Sequence, residues 1–181
     1  MNIFYLHNDP KTCAQQHVDK HVVKMILEYA QLLSTAHRIL DGNESTVLSQ
    51  TGRRKKVWQL PDGRDSLLYS ATHANHPSAI WARSGAKQYQ WLHSLLVELC
   101  KEYTHRYGKH HKVERDGLLW ELAKLPNKIY HDVFWSEPTP AMPDQYRVSG
   151  DSIQSYKNYY LGDKQRMFSW KKRDTPSWVT G

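Results

Sequence analysis

From Asp9 to about Leu40, apolar residues recur at helical spacing. Val18, Val22, Met25, Ile26, Tyr29, Leu33 and Ala36 fall on one broad face at about 100° per residue, and Val23, Leu27 and Ala30 widen that face. Asp9 followed by Pro10 predicts the helix start, a capping carboxylate and then a residue preset for the first turn. The remaining arc carries His17, His21, Lys24, Glu28, Gln31 and Thr35 at alternating spacings of four and three. A helix apolar over most of its circumference is buried. Titratable groups on such a helix must face a polar partner or a wet cleft, because unpaired buried charge is costly. The stripe is therefore where the pattern directs a search for chemistry.

The same reading organises the rest. Ile3–Leu6 is a short strand or extended arm, and residues 41–50 read as a polar loop. KKVWQLPDGRDSLLY alternates about Pro61-Asp62-Gly63, a hairpin signal. A second long helix is predicted from Pro77 to Tyr107, stopped by Gly108, with Ile80, Trp81, Trp91, Leu92, Leu95, Leu96, Leu99 and Tyr103 at helical spacing. A shorter helix follows from Glu114 to Leu125, then an irregular proline-rich stretch over 126–148, and a last helix from Asp151 to about Trp170. The fold class is mainly α: one domain, residues 1–181, a bundle of about four helices with a small β-hairpin.

The 181 residues allow a sizeable core. No apolar run approaches the roughly 20 residues that span a bilayer, so no membrane partner is expected. Nor does MNIFYLHNDP have the make-up of a signal peptide. Cys13 and Cys100 form no metal or disulfide pattern, which points to a reducing cytoplasm. The net charge of +7 changes the picture more. Arg53, Arg54, Lys55 and Lys56 form one basic run, and Lys171, Lys172 and Arg173 another. Such runs among aromatic residues suit a phosphate backbone with stacked bases, and nucleic acid, DNA first, is the expected partner.

Three constellations carry candidate chemistry. His17 and His21 stand four apart, as in zinc-binding helices, and His73 or His76 would complete a ligand set; the glutamate of an HExxH motif is absent, since Val18 follows His17. Without a metal or other cofactor, His17 or His21 serves as general acid or base. Glu28 then orients one of them, and Lys20 or Lys24 acts as nucleophile or phosphate clamp. In THANHPSAIW, His76 opens a helix with Arg83 two turns on, either an anion recess or a plain cap. In the late segment Tyr156, Lys157, Tyr159, Tyr160, Lys164 and Arg166 mix aromatic and basic groups suited to nucleic acid, or tyrosines suited to the core. EYTHRYGKHHK reads as a solvated helix end, its cations favoured by the C-terminal dipole.

HVDKHVVKMILEYAQLL, THANHP, EYTHRYGK and AMPDQY resemble a group of small tailed-phage proteins over nearly the whole chain. That implies a host-cell cytoplasmic setting. More distantly, AQQHVDKHVVKM, the Pro77–Tyr107 helix and YKNYYLGDK occur in the order of three segments of the pyrimidine-dimer DNA glycosylases of the phage endonuclease V type. The resemblance implies a small basic helical enzyme, with His17 on the DNA-facing part of the first helix and Tyr156–Lys164 in the duplex contact region. That family uses the amino group of an N-terminal Thr, freed by loss of Met, and a first-helix Glu. Here Asn2 follows Met1, a pair from which Met is usually kept, and Lys24 aligns with the Glu, so Lys20 or Lys24 becomes the candidate amine.

The expectation is an enzyme that excises or modifies a nucleic-acid base. The nucleic-acid contacts would be Arg53, Arg54, Lys55, Lys56, Arg83, Tyr156, Lys157, Tyr160 and Lys164; the reacting groups would be His17, Lys20, His21, Lys24, Glu28 and His76. Two alternatives stay open. One is a non-enzymatic phage factor that binds a host protein or nucleotide, whose stripe residues saturate one another. The other is a hydrolase with a metal on His17, His21, His73 and His76. Oligomeric state is not legible.

Overall fold

The first long helix is two. The computed structural model describes residues 1–181; in it α1 (Pro10–Gln16) is capped by the Asp9 carboxylate on the Thr12 N–H, and α2 (Asp19–Asp41) starts afresh after His17 and Val18. Both intervening residues have extended backbone, with ψ 132° at His17 and 155° at Val18. Neither glycine nor proline marks the break. Its cause is remote in sequence, on the second long helix.

That cause is Arg106, a fully buried residue near the end of α5 (Ala86–Tyr107). Its guanidinium donates to the carbonyl oxygens of Gln15 and His17, each at 2.9 Å, so the last turn of α1 spends its carbonyls on a side chain. It also donates to Glu102 at 2.8 Å and to Asp19 in the first turn of α2 at 2.9 Å. Arg173 closes the far side of Glu102 with two bonds of 3.0 Å, and Ser169 and the Lys171 N–H complete Asp19. Burial pulls both carboxyls up, but these donors outweigh it and hold their pKa values below the usual range. Residues 102–112 are therefore not simply a solvated helix end: Glu102 and Arg106 lie inside.

The core packs α2 against α5, with Val22, Met25, Ile26, Tyr29 and Leu33 meeting Leu92, Leu95, Leu96 and Leu99. The Ile3–Leu6 arm, Cys13, Ala14, Tyr156 and Tyr160 complete it. The apolar arc of α2 is narrower than predicted, since Val23 and Leu27 are each about two-fifths exposed. As expected, α5 ends at Gly108, which takes the left-handed cap at φ 69°. Its predicted start moves, because α4 (Pro77–Ala82) precedes it as a separate short helix. Gly85 turns the chain between them where a β-carbon would lie 2.9 Å from that of Val133.

Mainly α holds, but about four helices does not. There are nine α-helices, and only α2, α5 and α8 (Ser152–Asp163) exceed two turns. The predicted 114–125 helix is two single turns, α6 (Lys112–Arg115) and α7 (Leu118–Glu121), and the last predicted helix stops at Asp163. The remaining short ones are α3 (Arg64–Leu67) and α9 (Ser177–Thr180). The hairpin exists one turn earlier than expected: β1 (Asn43–Leu48) pairs antiparallel with β2 (Arg54–Gln59), so the predicted polar loop is a strand, and Pro61-Asp62-Gly63 leads into α3. No helix is long and apolar enough to cross a membrane.

Arg106→Ala would leave Glu102 and Asp19 without their central partner and two carbonyls bare. Removing one member of a buried pair costs about 3–5 kcal/mol, and urea denaturation should read a loss of that order. A loss below about 1 kcal/mol would contradict the assignment of Arg106 as the node.

Candidate functional site

The two histidines of the stripe do not share a face. His17, in the break, is fully buried. Its Nδ1 lies 2.8 Å from the Cys13 carbonyl and its Nε2 2.8 Å from the Tyr29 hydroxyl. The Cys13 carbonyl can only accept, so His17 carries its proton on Nδ1, and the Tyr29 hydroxyl, which accepts the Phe4 N–H at 3.1 Å, donates to Nε2. His21 stacks on the Phe4 ring with centroids 4.1 Å apart and bonds the Tyr160 hydroxyl through Nδ1 at 2.6 Å. Burial drives both imidazoles down, His17 to about 4 and His21 to about 3. Both are core groups that hold Phe4 and, through it, the arm. The general acid–base role expected of His17 and His21 is corrected on this ground; their partners, the Cys13 carbonyl and the Tyr29 and Tyr160 hydroxyls, lie outside the stripe.

What the arm delivers is its first residue. The Met1 α-amino nitrogen stands 3.6 Å from Glu28 Oε2, and the Lys24 ammonium stands 3.4 Å from Glu28 Oε1. Glu28 is largely covered while Lys24 is mostly exposed, so the carboxylate lies in a partly screened recess between two cations. His76 adjoins this group. Its pKa is lowered first by partial burial and then by the charges of the Met1 ammonium and His73, with Glu28 acting the other way. Lys20 and Lys24 both stand in solvent, without the burial that a lysine nucleophile was expected to use.

A groove opens beside this recess. Gln31, one turn beyond Glu28, lines a cavity of about 480 Å³ together with Lys55, Lys56 and Trp58 of β2 and residues 69–74. A second hollow of about 290 Å³ shares Lys55, Lys56, Trp58, Ser70 and Ala71 and adds Arg38 and Asp65. The far wall is rigid. Arg38 donates to the carbonyls of Trp58, Asp65, Leu68 and Tyr69; Thr35 exchanges hydrogen bonds with the backbone of Thr72; Arg83 donates to the Ala74 carbonyl at 2.8 Å. Cations and an indole thus line a trough whose Gln31 stands one helical turn from Glu28.

The other expected residues divide. Arg53, Arg54, Lys55 and Lys56 are exposed, on the hairpin turn and β2. Arg83 holds the groove wall instead of lining an anion recess, and His76 caps the six-residue α4 through the Ser78 N–H, the plainer of its two expected roles. Tyr156 and Tyr160 are fully buried, bonded to Thr139 and His21, and are removed as base-stacking groups. Lys157 and Lys164 lie over the rings of Trp178 and Tyr159 at the surface. The metal set fails: no three His, Cys, Asp or Glu groups cluster to hold an ion, and both ring nitrogens of His17 are engaged. Cys13 and Cys100 are buried with thiols pushed up to about 12, which makes them poor nucleophiles.

Sequence reasoning missed the Met1 amino group as a member of the site. The available signal was the apolar run Ile3–Leu6: a buried arm of that length carries whatever precedes it onto the helix it packs against.

His17, His21 and His37, the last also lowered to about 4 by burial and by Arg64, stay neutral in the fold well below the ordinary imidazole value of about 6.5. The unfolded chain therefore binds more protons below pH about 6.5, and stability is full above that pH and falls as pH drops toward 4. Each histidine contributes up to about 1.4 kcal/mol per pH unit in that window. Lowered carboxyls such as Asp19 act only below about pH 4. Denaturation midpoints should fall between pH 6.5 and 5, less steeply in His21→Phe; a flat profile there would contradict the neutral buried network.

No family model matches the chain, and no curated protein or solved structure does.

Proposed function

We propose that the chain is a base-excising enzyme of the glycosylase/lyase kind acting on DNA, with the Met1 α-amino group as nucleophile and Glu28 as the carboxylate that handles protons. The observation that carries this reading is the 3.6 Å approach of the Met1 nitrogen to Glu28, one helical turn from Gln31, which lines a groove together with Lys55 and Lys56. The distant resemblance to pyrimidine-dimer glycosylases adds to it, for that family pairs an N-terminal amine with a first-helix glutamate. The pair here is Met1 and Glu28, where alignment alone pointed to Lys24.

The chemistry follows from those two groups. A primary amine in its free-base form has the lone pair that imine chemistry needs, and the Glu28 carboxylate beside it can take up its proton. The amine lone pair adds to C1′ of the sugar as the C1′–N bond to the base breaks, and the base leaves with the bonding pair and takes up a proton. The amine then gives a proton to Glu28 while the C1′–O4′ bond opens and the ring oxygen is protonated, forming an imine. Once protonated, the imine acidifies C2′. Glu28, having released its proton, takes one from C2′, and the C3′–O bond breaks to cut the strand. Lys24 borders the recess and adds a positive charge for the strand's phosphates, while His76, its pKa lowered and its Nδ1 accepting the Ser78 N–H, stands beside it as a neutral ring.

A duplex carrying one abasic site, incubated with the chain and cyanoborohydride, should yield a covalent protein–DNA adduct. One glycine added before Met1 shifts the amine by about 3.8 Å and should abolish the adduct. Glu28→Gln should slow strand cleavage by roughly a hundredfold or more. Absence of any adduct with the unmodified chain, or full rates in both variants, would overturn the reading.

A further inference from the structure

The β1–β2 ribbon has no packing reason to project as it does. All six residues of β1 are exposed, and in β2 only Val57 and Trp58 are partly covered. An isolated two-stranded ribbon is marginal in water, yet this one is fixed firmly at its base. Gly42 packs its backbone so close to the Arg38 carbonyl that a β-carbon would lie 2.4 Å from it, and Arg38 reaches across to the Trp58 carbonyl at 2.9 Å. The outer half is unsupported. There Val47 pairs with Lys55 and Leu48 with Arg54 across the strands, and Leu48 is 72% exposed.

The charge is as uneven as the packing. Residues 43–59 hold four cations and one carboxylate, Glu44, which is taken by Lys56 at 2.7 Å. Arg53, Arg54 and Lys55 at the outer end have no acidic partner. A twisted ribbon about 20 Å long (six residues at roughly 3.4 Å each), cationic at its tip and apolar between the cations, matches few surfaces. The major groove of B-form DNA admits a two-stranded ribbon, offers phosphates along both rims, and exposes thymine methyl groups on its floor. The major groove of A-form RNA is too narrow for the same element.

From this fit we infer that the ribbon lies in the major groove of duplex DNA with its Leu48–Arg54 face toward the floor, Leu48 on thymine methyls and Arg54 on base edges, while Arg53 and Lys55 reach phosphates at the rims. The inference rests on the nucleic-acid reading above and narrows it: the substrate is double-stranded DNA, held by the ribbon, with the groove along Lys55, Lys56 and Trp58 reaching Gln31, one helical turn from Glu28.

Fluorescence anisotropy tests it with undamaged 20-base-pair duplexes of DNA and of RNA, across a salt series. The unmodified chain should bind the DNA duplex at least tenfold more tightly than the RNA duplex. Arg53→Gln/Arg54→Gln/Lys55→Gln should weaken DNA binding at least tenfold and flatten the slope of log affinity against log salt by about 2 to 3. Replacing thymine by uracil in the DNA should weaken binding by the unmodified chain several-fold and leave Leu48→Ala indifferent. All these side chains are exposed, and an unchanged melting temperature verifies the fold. Equal binding of RNA and DNA duplexes, or an unchanged salt slope in the triple variant, would overturn the ribbon's role. The two readings fail separately: adduct formation at an abasic site with an indifferent ribbon leaves the excision chemistry standing, whereas ribbon-dependent duplex binding without any adduct removes the chemistry and keeps the duplex.

Discussion

Everything in this molecule that concerns the site hangs on one buried guanidinium. Arg106 takes the carbonyls of Gln15 and His17 and the carboxylates of Asp19 and Glu102. Together with the Ser169 carbonyl, which accepts the Asp19 N–H, and the Trp170 indole, which donates to the Gln16 carbonyl, it holds α1 and α2 apart as two helices. The break turns the His17 imidazole inward to the Tyr29 hydroxyl, and that hydroxyl receives the Phe4 N–H. Cys13 holds the Phe4 carbonyl from the other side, and His21 stacks on its ring. Phe4 is thus fixed on several sides, and Met1, three residues earlier, arrives beside Glu28, the neighbour of Tyr29. A buried charge cluster of this kind is not in itself a strong source of stability. Its effect here is geometric: it sets where the chain can break and therefore where its first amino group is held.

This account reverses the roles that spacing suggested. His17 and His21 carry imidazoles, the residue type most used for proton transfer near neutrality, but burial and hydrogen bonding make them scaffolding for the arm. Glu28, which on the sequence reading only oriented a histidine, becomes the largely covered carboxylate between the Met1 amine and Lys24, one turn from the groove residue Gln31.

Much of the fold was legible because it follows from periodicity. The apolar face of α2, the body of α5, the Asp9–Pro10 start and the Gly108 stop are local signals, and each was recovered. The break at His17–Val18 was not legible, since its cause lies nearly ninety residues away in Arg106, which pattern reading assigns to a solvated helix end. For the same reason Tyr156 and Tyr160, spaced equally well for stacking or for the core, could be decided only by seeing Thr139 and His21 against their hydroxyls. Of the candidate site, spacing named Lys24 and Glu28, which the structure sets 3.4 Å apart; the approach of the Met1 nitrogen depends on how the Ile3–Leu6 arm packs, which no local pattern records.

The central claim is that chemistry belongs to the Met1 amine next to Glu28 and not to a lysine of the stripe. Peptide mass mapping of a hydride-reduced adduct on an abasic duplex tests it most directly, because trypsin separates the relevant amines. Residues 1–11 end at Lys11, and Lys20 and Lys24 are cleavage points further on. The account predicts the sugar remnant on the α-nitrogen of the 1–11 peptide, with cleavage after Lys20 and Lys24 intact. A remnant on Lys20 or Lys24, seen as missed cleavage there with an unmodified 1–11 peptide, would contradict it.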